Sequence, residues 1–135
     1  MELYRAFQIS AAGMKAQGTR LRVAAENMAN ADSLPTGPGQ EPYRRKILTF
    51  KNVMDREAGV DLVKVNKVYD DKSPFGMKYE PSHPAANAQG YVQTPNVSTM
   101  IEMMDLREAQ RSYEANLNVI QSSRSMLLQT LDIIR

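Results

Sequence analysis

His83 is the only histidine, and it stands between Ser82 and Pro84 in a proline-rich stretch. To act as a general base or metal ligand it would need partners of complementary chemistry. The chain supplies no second histidine and no cysteine, so thiol catalysis, thiolate metal centres and disulfides are excluded. Two acidic pairs, Asp70-Asp71 and Glu102/Asp105, come without a phosphate-binding loop or a nucleophile motif. They read as a turn and as negative charge near a helix start, where the helix dipole favours it. No enzymatic activity and no cofactor is expected. A third cluster, Arg44, Arg45, Lys46 and Lys51 with Tyr43 and Phe50 interleaved, has the composition of a strand that tracks phosphates. A basic-patch nucleic-acid module is therefore the alternative from another class. With 17 basic residues against 15 acidic ones the net charge is only +2, which favours a solvated strand face or contacts to acidic neighbours instead. No nucleic acid is expected among the partners.

Three asparagines, Asn27, Asn30 and Asn116, sit in or beside apolar helical patterns. Each could cap a helix or face solvent, or could fix the register between helices as a lone polar residue does in a coiled coil. The elements that hold them are legible. From Glu2 to about Asn30 the chain is alanine-rich and free of proline, and Phe7, Met14, Leu21 and Met28 recur every seventh position. Tyr4, Ala11, Gly18 and Ala25 precede them by three, a mostly small row that would let a second helix approach, with Gly18 better placed for this than Gly13. Asn30, Asp32 and Ser33-Leu34-Pro35 end the helix.

Residues 34–42 hold three prolines and two glycines, a linker composition. Tyr43–Val53 and Val60–Tyr69 read as strands, with short extended pieces at Met77–Tyr79 and Tyr91–Thr94. From Asn96 to Arg135 there is neither proline nor glycine, and Asn96 or Ser98 would cap a second long helix. Its seam is predicted as Met103, Gln110, Leu117, Arg124 and Leu131 in one row, and Leu106, Tyr113, Ile120, Leu127 and Ile134 in the other. A further row, Val119, Met126 and Ile133, lies on another side of the helix together with Ile101 and Met104. One partner helix cannot cover both rows, so the second either packs on the chain's own β region or meets other subunits.

The fold class expected is α+β, with long terminal helices pairing as a coiled coil around a small β-rich middle. Residues 1–33 and 96–135 would form the coiled-coil domain and 34–95 the linker and β region. The first ten residues lack the pattern of a cleavable secretory signal, and no apolar run approaches the roughly 18 to 20 residues of a membrane span.

Ser10-Ala11-Ala12-Gly13-Met14, continuing through Leu21-Arg22-Val23-Ala24-Ala25-Glu26-Asn27-Met28-Ala29-Asn30-Ala31-Asp32-Ser33, resembles the N-terminal signature of the flagellar rod and hook axial protein family. Glu108-Ala109-Gln110-Arg111-Ser112-Tyr113-Glu114-Ala115-Asn116 resembles its C-terminal motif. The segment His83-Pro84-Ala85-Ala86-Asn87-Ala88-Gln89-Gly90-Tyr91-Val92, closing with Pro95-Asn96-Val97, is similar to the short proximal-rod members, in which Ala85 and Asn87 are often acidic. The resemblance implies a structural subunit of the proximal rod of the bacterial flagellar basal body, located in the periplasmic space. It implies polymerisation through the terminal helices and transmission of torque. The implied partners are other rod subunits, copies of itself and the flagellar type III export apparatus, with no direct membrane insertion. Another short rod member of the same family is the alternative within it.

Overall fold

The computed structural model describes residues 2–57 and 59–134, the side chain of Ile134 excepted. Helix α1 runs Glu2–Ala29, strands β1 and β2 span Lys46–Asp55 and Val60–Asp70, β3 and β4 span Gly76–Tyr79 and Tyr91–Thr94, and helix α2 runs Thr99–Ile134. The fold is α+β as expected. Alanine and long unbranched side chains favour α1. Asn30 closes it by turning both its main-chain and its side-chain N–H onto the Glu26 carbonyl, at 3.2 and 2.8 Å.

β1 and β2 form an antiparallel hairpin with a bulge at Thr49/Phe50, and β3 pairs antiparallel with β4 in a separate two-stranded sheet. The first strand begins three residues later than the composition indicates: the Arg45 carbonyl still accepts from Asp71 N at 2.7 Å, but its amide turns to a side chain and donates to Asn96 Oδ1 at 2.8 Å. Asn96 is therefore no helix cap. Its own amide group donates to the Asp71 and Ser73 carbonyls and to Ser73 Oγ, while Ser98 accepts the first helical hydrogen bond, from Glu102 N, at 3.0 Å. In the smaller sheet Val92 is fully buried, and Tyr79 and Tyr91 meet edge-on across the strands with ring centroids 5.2 Å apart. Gly90 admits the turn into β4: its φ is +82°, and a Cβ there would meet the Tyr79 ring at 2.9 Å.

The helices pair within the chain, antiparallel. Gly13 lies against Asn116 and Asn27 against Glu102, two heptads apart on both helices, so a single register runs the length of the pair. On its other side α1 packs against the β1–β2 hairpin, whose tip brings Gly59 to Arg5. Among the described helices and strands α2 packs on α1 alone, and its first turns also meet Arg45, just ahead of β1.

The seam differs from the predicted one by about one position on each helix. On α1 the buried residues are Ser10, Gly13, Ala16, Val23, Ala24 and Asn27; Phe7, Met14, Leu21 and Met28 are half-buried on its flank, and Tyr4, Ala11 and Ala25 are exposed. On α2 the buried row is Glu102, Ala109 and Ser123 with half-buried Asn116, and Leu106, Tyr113 and Ile120 are half-buried beside it. Met103, Gln110, Leu117, Arg124 and Leu131 are exposed, as is Leu127. The side chain of Ile134 lies outside the described residues. Small and polar residues occupy the contact because the axes approach closely, and bulky side chains are displaced to the edges.

Gly13, and not Gly18, is the point of close approach. A Cβ on Gly13 would stand 2.9 Å from Asn116 Nδ2, whereas nothing lies within 4 Å of one on Gly18. Gly13→Ala should accordingly lower stability by about 1–2 kcal/mol through overpacking, and Asn116→Ala should restore it in the double variant. Gly18→Ala should raise stability by about 0.5–1 kcal/mol, the helix-propensity gain in open space. Urea unfolding of the four proteins checks both signs.

Candidate functional site

Asn27 is 1% exposed and uses every hydrogen-bonding position of its amide. Its Nδ2 donates to the Lys46 carbonyl at 2.8 Å and to Glu102 Oε2 at 3.0 Å. Its Oδ1 accepts from the Lys46 amide and from the Tyr43 hydroxyl, both at 2.9 Å. The side chain thus pairs with the Lys46 main chain as a neighbouring strand would, and ties α1, the entry to β1 and the start of α2 at one point.

Glu102, also 1% exposed, is the second centre of this node. Besides Asn27 it accepts from Arg45 Nε at 2.6 Å. Arg45 reaches Asp105 at 3.6 Å and Asp71 at 3.7 Å, and Asp105 is held in turn by Arg20 at 2.8 Å. Burial opposes the charge on Arg45, but the hydrogen bond and charge of Glu102, then Asp105 and Asp71, outweigh it and hold its pKa above the ordinary value. Lys46 pairs with Glu26 across the same corner. Of the basic cluster, Arg45 and Lys46 are therefore bound by the chain's own carboxylates. Arg44 pairs with Glu41 at 3.6 Å and stacks over the Phe75 ring at 4.1 Å. Lys51 alone of the four is exposed. The phosphate-tracking arrangement is absent from this cluster.

The other two asparagines do not bridge helices by hydrogen bonds. Asn30, just past α1, bonds to Glu26 and Ser33 at the helix end, and Asn116 Nδ2 donates to Ser112 of its own helix at 2.9 Å while filling the space left by Gly13. His83 accepts from the Ala85 amide at 3.1 Å through Nδ1, a local turn contact. Among the described residues no group of acidic, histidine or cysteine side chains is arranged to hold a metal, and no helix is long and apolar enough to cross a membrane.

Tyr43 carries the node's titratable signature. Burial, then the nearby charges of Glu26, Asp70 and Glu102, push its pKa up to about 12. The folded state therefore holds this proton more tightly than the unfolded one. Its contribution is complete below the ordinary tyrosine pKa near about 10 and is lost as pH rises from there to about 12. Unfolding across that window should show a fall in stability that Tyr43→Phe flattens.

The second feature is the surface that α1 leaves open. Ile101, Met104, Val119, Met126 and Ile133 share one flank of α2, roughly a quarter turn from the seam, and all are exposed, from 45% at Val119 to 86% at Ile133. Met100 adds to it at the helix start, 72% exposed. The expected row Val119, Met126 and Ile133 thus does not pack on the chain's own β region. Sequence reasoning gave Glu102 and Asp105 a helix-start role and Tyr43 and Arg45 a place in a basic strand, and did not single out Arg20; none was assigned to this node. The available signal was the heptad row Glu102, Ala109, Asn116, Ser123, small or polar throughout, adjacent to the apolar one.

A family model described as the flagellar basal body rod FlgEFG protein C-terminal matches residues 88–133. The chain is 46% identical to the flagellar basal-body rod protein FlgC of Agrobacterium fabrum, covering 98% of this chain and 96% of the relative. It is 43% identical to the FlgC of Escherichia coli O157:H7, over 98% of each chain. It is 36% identical to the FlgC of Bacillus subtilis, over 98% of this chain and 99% of the relative. Both motifs, the two long helices that carry them and full-length identity at this level agree: the chain belongs to the FlgC family of flagellar basal-body rod proteins.

Proposed function

We propose that this chain, a non-enzymatic structural subunit of the flagellar basal-body rod, polymerises by burying the open flank of α2 against neighbouring rod subunits and passes torque through those contacts. The observation that carries the reading is the apolar row from Ile101 to Ile133, which its own fold leaves in water. Covering each such side chain is worth about 1.5–3 kcal/mol, so even a few of them per contact favour association. In this reading residues 1–33 and 96–135 act together as the coiled-coil domain. Residues 34–95 are fixed to it by the Asn27–Glu102 node, so that force entering the β region reaches the helices without a hinge. By analogy with its family, the subunit leaves the cytoplasm through the flagellar type III export apparatus and joins other rod subunits and copies of itself. Electron microscopy of basal bodies from cells lacking the gene tests the reading. Rods should be missing and return with the wild-type gene; complete rods in the deletion strain would overturn it.

A further inference from the structure

The register between the helices places Glu2 of α1 opposite Leu127 of α2. The last two turns of α2 therefore extend about 10 Å past the first described turn of α1, at 1.5 Å per residue. Leu128 and Leu131 on this extension are 52% and 56% exposed, and Asp132 shares their face and has no ion-pair partner among the described residues. It is an apolar pair with one acid beside it.

A surface of the opposite character lies between α1 and the hairpin. A cleft of about 270 Å³ has Ala12 and Ala16 on one wall and Val63 and Val65 on the other, with Lys15 and Lys64 at its rim. Both lysines are exposed, and neither is ion-paired among the described residues. The cleft volume suits two leucine-sized side chains, and two unpaired ammonium groups await a carboxylate. The chain's own tail cannot fill it: Ala12 already stands ten residues into α1 from Glu2, about 15 Å back along the axis, and α2 points the other way.

We propose that the tail of one copy, through Leu128, Leu131 and Asp132, docks in the α1–β2 cleft of the next copy. The contact joins two different surfaces, so it is head-to-tail and repeats along an assembly instead of closing a symmetric pair. This rests on the polymerising reading above and names the partner of one contact within it.

The absence of native cysteine makes the contact directly testable. Two differently tagged copies, one Val65→Cys and one Leu131→Cys, are co-expressed in a deletion strain, and assembled basal bodies are oxidised with diamide. The expected product is a disulfide dimer carrying both tags, at least tenfold above dimers of either tag alone. Rods that form normally but give Leu131→Cys dimers, crosslinks to another rod protein or no crosslink overturn the proposal and leave the polymerising reading standing. Lys15→Glu with Lys64→Glu provides the second arm should the cysteine variants not assemble. It should reduce rod number at least tenfold, and Asp132→Lys should restore it; failure of restoration overturns the proposal. Deletion cells that build complete rods would instead defeat the polymerising reading itself.

Discussion

Asn27→Leu should lower the stability of the chain by about 3–5 kcal/mol, a large share of the total for a domain of this size. The leucine is close in volume, so the cost does not come from a cavity. It comes from the groups left behind: the Lys46 amide and carbonyl, the Tyr43 hydroxyl, and the side of Glu102 that faced the amide. A buried polar group stripped of its partner costs its full desolvation penalty. Asn27→Asp should do comparable damage, because a carboxylate has no N–H for Lys46 or Glu102 and places like charge beside the latter. Glu102→Gln is the milder change, about 1–3 kcal/mol, since Arg45 keeps Asp71 and Asp105 within reach. Asn27 and Glu102 touch, so the double variant should fall short of the summed single losses by at least about 0.5 kcal/mol. Denaturant unfolding measures all four. A loss below about 1 kcal/mol for Asn27→Leu would show that the node does not hold helix and strand together.

This node explains what could and could not be read before the fold was known. Helix and strand positions were legible because each depends on near neighbours: an alanine-rich stretch without proline, alternation between turns, and proline and glycine between them. The Asn27 motif was legible as a signature but not as a mechanism, since its partners lie 16, 19 and 75 residues away in the chain. The rotation of the seam has a related cause. Periodicity assigns the largest apolar residues to the contact, yet here Gly13 faces Asn116 and bulky side chains have no room between the axes. Glu102 was read as a dipole feature of the helix start, which its position permits, but its burial goes with Arg45, 57 residues away and just ahead of β1. The row Val119, Met126 and Ile133 was separable from the seam because its angular position depends only on helix geometry.

Val119→Glu together with Met126→Glu should leave the isolated chain's stability within about 1 kcal/mol of wild type and abolish swimming. Both side chains are about half exposed, 45% and 51%, on a face that meets no other element, and substitutions at such positions move stability little. In the assembled rod the same positions would have to lose water, and a carboxylate cannot do so without a partner cation. This reverses the order expected at the node: Asn27→Leu should weaken the fold and, through it, assembly, whereas the double glutamate variant should spare the fold and remove assembly alone. Circular dichroism and urea unfolding on the purified chain, set beside swim plates and electron microscopy of basal bodies, separate the two. Normal motility with both glutamates in place would mean that this flank stays wet in the rod, and the apolar row would then need a different explanation. A chain that unfolds on substitution would place the row in the fold's own core, against its exposure here.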